Sequence, residues 1–393
     1  MAAGLGRPQH GVELTADVAV VGLGAMGTAA LWRLASRGAD VVGFERFQPG
    51  HALGSSHGAT RILRAAYSEG PQYVPLLLDA LGLWRRLGLE SGQALFQQTG
   101  ALLIGPPDAE VVAGALRSAR EHQLPHSTLD RAEMARRYPQ HRLAAGELGV
   151  LDELGGVLFP ETSITAAATI ARARGAVIHE GARVDRIEPH ASHVDIVVGS
   201  DRHRVRHAVI CAGPWLQDLV SFMGVELAVE RQVMTWFVAE SPELFAPGRF
   251  PVFVRESAGG RICFGIPDMG DGLVKVGAHH GGEVVHPDSI DRSVDSRDFE
   301  MAETFVAAQI DGLVPSVARA VVCMYTNTPD EHFIIGPMPG APNVTILSAC
   351  SGHGFKFAPV IGEIAADLAL LGGTKYEIGM FSPDRVLQSP SAG

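Results

Sequence analysis

Along the chain, apolar and polar positions change rhythm several times, and each change predicts an element. Residues 17–21 form a short apolar run of strand type, followed by a glycine turn over 22–27. Residues 29–37 predict a helix, and Gly38 stops it at the left-handed position that favours glycine. A second apolar run over 41–44 ends on Glu45 and completes a strand–helix–strand start. Val74, Leu77, Leu78 and Leu81 share one face, which predicts a helix over 71–84. Helices over 109–122 and 165–174 follow, then strands at 177–179, 184–188 and 194–198. A buried strand over 208–212 ends in Gly213-Pro214, and strand-like runs dominate from 220 to 322. The last unit is a strand at 344–347, a loop over 350–356 and a helix over 357–371. Val360, Ile361, Ile364 and Leu368 form the apolar stripe of that helix.

Such alternation belongs to an α/β chain, and 393 residues exceed what one hydrophobic core usually serves. Nucleotide-binding elements fall at both ends and in the middle, so two interleaved domains are expected. Residues 1–16 read as a loose tail without the apolar core of a signal peptide. Residues 17–90, 150–219 and 323–385 are assigned to one domain, and 91–149 and 220–322 to the other. The formal charge of −11 argues against a nucleic-acid partner but leaves room for a local basic pocket. Four scattered cysteines (Cys211, Cys263, Cys323 and Cys350) make neither a disulfide framework nor a zinc cluster, so no metal is expected. They fit a reducing cytoplasm. No apolar run reaches membrane-spanning length.

Gly22, Gly24 and Gly27 stand between the first strand and helix, the context in which a glycine turn admits a dinucleotide pyrophosphate. Glu45 closes the second strand, where a carboxylate can hold ribose hydroxyls. This pattern does not choose between FAD and NAD. The next segment, 54–61, is a polar glycine-containing loop with Ser55 near its start, where an NAD enzyme commonly enters its next crossover helix. Arg61 and Arg64 lie three apart, so a helical turn would project both guanidinium groups together. Their apolar neighbours weigh against a wholly solvated face.

Further along, Lys275 sits among apolar residues in Leu273-Val274-Lys275-Val276-Gly277, which suggests a strand with one charge turned inward. His279 lies four on, on the same strand face. Cys323, beside valines, reads by itself as a small buried hydrophobe. Residues 350–356 lead into a helix start, whose free N–H groups favour partial negative charge. Taken singly, Lys356 reads as a snorkelling lysine and His353 as a core histidine.

Together these segments resemble the monomeric sarcosine oxidase and N-methyltryptophan oxidase family, within the glycine/D-amino-acid oxidase fold. The resemblance runs from Asp17 to the C-terminus. It is carried by the loop 54–64, the strand 272–279, Cys323-Met324-Tyr325-Thr326-Asn327-Thr328-Pro329-Asp330 and Ser351-Gly352-His353-Gly354-Phe355-Lys356-Phe357. It implies a Rossmann-like FAD-binding domain interleaved with an α+β substrate domain built on a mixed sheet. It also implies a flavin held covalently by Cys323, with Gly22, Gly24, Gly27, Glu45, Ser55, Arg61, Val184, Gly352, Gly354, Phe355 and Lys356 around the cofactor. Arg64 and Lys356 would clamp a substrate carboxylate. Lys275 would favour electron transfer to O2, Arg61 would press on the flavin ring, and His279, Tyr325 and His353 would line the site. The implied enzyme is a monomer that oxidises small secondary amines, N-methyl amino acids above all, with release of H2O2. Oxidation of cyclic imino acids and a dehydrogenase with noncovalent FAD are the alternatives. Three positions depart from the family: Phe264 stands for a tyrosine in the pocket wall, His280 adds a second histidine after His279, and Gly336 replaces an aspartate.

Overall fold

The structure is a computed structural model that describes residues 14–220, 227–348 and 351–387. Most of the expected N-terminal tail, and Cys350 at the head of the expected 350–356 loop, lie outside the described residues.

Strand Ala16–Val21 is central in the first sheet, parallel to Val41–Phe44 on one side and to Asp201–Ile210 on the other. Val177–His179 extends the sheet beyond Val41–Phe44. The first half of Asp201–Ile210 pairs antiparallel with Val194–Val198, which pairs with Arg186–Pro189. Its last residues run parallel to Ala341–Ser348, which turns back on Ile334–Met338. Parallel pairing buries both faces, which is why these strands read as continuous apolar runs. Helix Ala25–Ser36 covers one face and packs on helices Pro160–Ala173 and Ala358–Leu371. A Cβ at Gly362 would lie 2.5 Å from the Ala29 carbonyl carbon, so glycine permits this close crossing. Arg37 pairs with Glu363 at 2.6 Å and Asp367 at 2.8 Å beside it.

A second sheet runs in the order Leu313–Asn327, Ala228–Ala239, Leu273–Ala278, Ile262–Ile266, Val252–Glu256, Ala101–Gly105, Leu148–Asp152 and His126–Leu129. Only the Ala101–Gly105 and Val252–Glu256 pair is parallel among the described strands, so the sheet is mixed. The boundaries expected near 150 and 323 therefore fall inside strands of this sheet. A small third sheet joins Arg61–Leu63, Gly156–Leu158 and Phe96–Gln98.

Several element ends differ from expectation. The first helix starts at Ala25, four residues early, because Gly24 caps it in an extended conformation and the small residues after it show no periodicity. Pro160 at the first position sets the start of its helix, where proline's missing N–H costs nothing. Val184 precedes the strand Arg186–Pro189, and the strand expected over 208–212 ends at Ile210. Arg61 and Arg64 are not on a helical turn: Arg61–Leu63 is a strand antiparallel to Gly156–Leu158. At Gly336 a side chain would meet Pro383 Cδ at 2.9 Å, which accounts for the lost aspartate.

Candidate active site

One cavity is lined by residues from both large sheets and the segments between them. The first group of lining residues surrounds the glycine turn. Gly22 has φ +85°, and a Cβ there would lie 2.6 Å from the Cys211 carbonyl oxygen. Gly27 sits in the first helical turn, where a Cβ would run into the Gly22 carbonyl. Gly24 differs, because a Cβ there would meet only Ser56 Oγ, at 4.0 Å, and the space it leaves belongs to the cavity. Two glycines thus let strand and helix approach, while the third leaves room for a ligand against a helix N-terminus. Buried Glu45 accepts the N–H groups of Leu23 at 2.7 Å and Phe47 at 2.9 Å. Val184 and Trp215 lie along the same stretch, and Asp288 accepts from Trp215 at 2.7 Å and Arg46 at 2.6 Å.

The second group gathers around Cys323, which is buried on Leu313–Asn327 opposite Gln232. Arg61 donates to the carbonyls of Thr60 at 2.8 Å and Ser55 at 3.0 Å, and its Nη2 is 3.7 Å from Cys323 Sγ. Lys275 turns inward as expected. Its Nζ donates to the carbonyls of Gly58 at 2.5 Å and Thr60 at 3.1 Å, 4.8 Å from the Trp236 ring. Burial, and then the Arg61 charge, push the Lys275 ammonium well below its ordinary range. The Thr60 carbonyl therefore accepts from both Arg61 and Lys275.

Arg64 and Lys356 also line the cavity, but Arg64 already holds a carboxylate. Its guanidinium grips Glu69 with two bonds of 2.8 and 2.5 Å and lies 4.5 Å above the Tyr67 ring. Burial pushes the Glu69 carboxyl up, and Arg64 followed by His353 outweighs it, so the group stays well below the usual carboxylate range. Lys356 Nζ donates to the His353 carbonyl at 2.6 Å. Burial and the neighbouring Arg64 pull this ammonium down to about 7. His353 Nε2 faces the Glu331 carbonyl at 3.0 Å, so that nitrogen bears the proton and Nδ1 accepts from Tyr67 Oη at 2.5 Å. Burial keeps His353 neutral, its pKa lowered to about 4.

His279 and Tyr325 meet at 3.3 Å through Nδ1 and Oη. Gly352 makes that possible: with φ +74°, a Cβ there would lie 2.6 Å from the Tyr325 ring and 2.8 Å from His279. Gly354 and Phe355 line the cavity, and Phe355 stacks on Trp84 at 5.5 Å. Phe264 forms part of the wall, its ring over Gly277, where a Cβ would come within 2.9 Å of it. All of the named candidate residues except Gly27 are brought to this one cavity; Gly27 serves the packing behind it.

Several residues around the site were not anticipated, Thr326 among them, and two bear on Arg64. Glu69 is one. Asp152 is the other: fully buried, it accepts the N–H groups of Ala65 at 2.5 Å, Ala66 at 3.0 Å and Leu154 at 2.9 Å, fixing the backbone that carries Arg64. Neither stands in a local pattern that signals its partner, which lies across a turn or in a loop distant in sequence.

A family model described as FAD-dependent oxidoreductase matches residues 17–368. The chain belongs to that family. The match chooses FAD over NAD, which the glycine turn leaves open. Monomeric sarcosine oxidase of Streptomyces avermitilis is 39% identical over 381 residues, covering 96% of this chain and 99% of that protein. N-methyl-L-tryptophan oxidase of Salmonella arizonae is 33% identical over 375 residues, covering 95% and 99%. Among solved structures, NikD, an amino acid oxidase of nikkomycin biosynthesis, has a TM-score of 0.83 at 24% identity, covering 94% and 98%, a likeness of fold. The FAD-dependent oxidoreductase site fits its cofactor on this chain's own terms. Ser55 Oγ and Thr326 Oγ1 line the cavity, buried and without a hydrogen-bond partner among the described residues. Such groups are costly unless a ligand or water satisfies them. No described helix is long and apolar enough to cross a membrane.

Proposed function

We propose that this protein is an oxidase of secondary amino acids of the N-methyl type, with its flavin joined covalently to Cys323. The observation that carries this reading is the convergence on one cavity of a buried cysteine, an inward lysine and two further cations that suit a carboxylate. In this reading Gly22, Gly24 and Glu45 would hold the pyrophosphate and ribose end, with Val184 beside them, and Ser55 and Thr326 would supply hydrogen bonds to the cofactor. When bound, the isoalloxazine supplies the two-electron acceptor that oxidises the C–N bond to an imine and delivers the electrons to O2 as H2O2.

The chain's own residues do the rest. Arg64 and Lys356 bind the substrate carboxylate, for which Arg64 must leave Glu69. The surrounding positive charge favours the uncharged amine, whose lone pair the reaction needs. His279 and Tyr325 fix one wall and His353 the other, so the reacting C–H is oriented rather than activated by a base. Phe264 narrows the wall without adding a hydroxyl. Lys275, fixed by two carbonyls and isolated from water, would offer an N–H donor, and a positive charge whenever it is protonated, where O2 gains electrons. Water then hydrolyses the released imine to an aldehyde and a primary amino acid. We also infer the two-domain division from the two large sheets, the cavity lying where their strands face each other.

Anaerobic mixing with sarcosine and N-methyl-tryptophan should bleach the flavin, and aerobic turnover should release formaldehyde and H2O2. Acid precipitation should leave the pellet yellow in the parent and colourless in Cys323→Ser. Bleaching by pipecolate or proline without formaldehyde would instead assign the cyclic imino acids. A colourless parent pellet removes the covalent link.

A further inference from the structure

His280, the histidine that follows His279, occupies an unusual backbone position. Its φ is +63°, a left-handed conformation that few non-glycine residues adopt and that histidine tolerates better than most. The turn is built around it. Gly281 has φ +99°, and a Cβ on Gly282 would run into the Arg231 carbonyl, so the loop presses directly on the strand Ala228–Ala239. From that strand Glu230 reaches the turn. Its carboxylate accepts from Gly282 N–H, Gln232 and Asn327, each at 2.7 Å, and from His280 Nδ1 at 3.1 Å. Because a carboxylate only accepts, His280 Nδ1 must carry a proton. Burial pushes Glu230 up, yet these hydrogen bonds, His280 first, hold it below its ordinary range.

The His280 ring does not line the cavity itself but lies against two residues that do, His279 and Tyr325. It lies 4.2 Å from the His279 ring and 5.3 Å from Tyr325, while its own side chain keeps 27% exposure to solvent. Conformations of this kind, held by many partners beside an active site, point to a functional demand.

We propose that His280, anchored on Glu230, is a positioning residue that fixes the His279 ring against Tyr325. This inference rests on the proposed reading of the cavity. The charged and titratable groups facing His280 are Glu230 and Tyr325 from the two long strands, and His279 beside it. Those acting on His279 are His280, Glu69, His353 and Arg64, with Tyr325 in contact. Burial is the main reason that His279 stays neutral, its pKa lowered to about 3, and His280 is the next. A neutral His279 accepts from Tyr325 at Nδ1 and keeps an N–H at Nε2, a fixed donor for the substrate.

The test uses holoenzyme carrying His280→Gly, which keeps the left-handed turn, and Glu230→Gln, which keeps its shape. Three quantities are read in each: the limiting rate of anaerobic flavin reduction against pH, the Kd for propionate, and the titration of histidine rings by 15N NMR. In both variants the reduction rate should fall about tenfold, the scale of a lost positioning contact, with propionate Kd within about twofold. In His280→Gly the acid limb and the His279 resonance should move together to higher pH, by about one unit, whereas loss of a carboxylate in Glu230→Gln should give no such rise. A rate that falls in His280→Gly without movement of the limb or resonance, or a parent-like profile in both variants, overturns the proposal. If His280→Gly loses its flavin, Glu230→Gln decides by its rate: a fall of about tenfold with propionate Kd within about twofold supports the proposal, and a parent-like rate overturns it. Failure of the underlying reading is separate, since the parent would then not bleach with N-methyl amino acids.

Discussion

The Arg64–Glu69 pair is the sharpest test of how the site binds its substrate, and Glu69→Gln is the perturbation. Arg64 is nearly buried and Glu69 about a quarter exposed, at 8% and 27% of their side-chain surfaces. A substrate carboxylate has to displace one that already makes two bonds to the same guanidinium. Charge-assisted hydrogen bonds contribute roughly 1.5–3 kcal/mol net, and stranding one partner of a buried pair costs about 3–5 kcal/mol. Discounting for the exposed quarter of Glu69 leaves about 2 kcal/mol of competition, or about thirtyfold in Kd. Glu69→Gln should therefore bind propionate about thirtyfold more tightly, read by anaerobic titration of the flavin spectrum. Ligand-free Glu69→Gln should also melt lower than the parent, and saturating propionate should restore the difference. The sign with pH follows from the depressed carboxyl: the pair's stabilisation is present above the unfolded value of about 4 and is lost only in strong acid. Because Glu69 also raises the neighbouring Lys356 ammonium, the gain in affinity should be fullest at about pH 6, where that group is protonated, and shrink above it. Unchanged or weaker binding would refute the exchange and make Glu69 a permanent anchor for Arg64.

Lys356 should impose its own pH dependence. With its ammonium pulled down to about 7, propionate affinity should be full below that pH and fall by up to about tenfold per unit above it. Affinity rising with pH would remove Lys356 from the clamp. Lys275→Met should leave anaerobic flavin reduction within about twofold and slow reoxidation by O2 by about 10²–10³, the scale of one lost electrostatic donor. Stopped-flow measurement of the two half-reactions checks this, and reoxidation at the parent rate excludes the role. Gly352→Ala puts a methyl group against Tyr325 and His279 at a left-handed position, which should cost about 1–3 kcal/mol of stability. Its reduction rate should fall with it, and a variant with parent melting temperature and rate would show that the Tyr325–His279 contact is looser than described.

Much of this protein is legible in its chain because the forces that shape those parts are local. The glycines of the first turn, Glu45 at the end of the second strand and the inward Lys275 each follow from backbone freedom or from strand alternation among near neighbours. Resemblance added Cys323, which by itself looks like any small buried residue. What the chain alone did not disclose are pairings between residues whose meeting depends on how the sheets and turns come together. Arg61 and Arg64 read as one helical face, whereas Gly156–Leu158 draws the first into a strand and leaves the second to grip Glu69. Asp152 and Glu230 look like ordinary strand carboxylates. Their task, holding the loop of Arg64 and the turn of His280, exists only once another segment delivers its unpaired N–H groups to them. Local propensity acts over a few residues, whereas a buried charge is stabilised by whatever surrounds it in space, and that set is chosen by the fold.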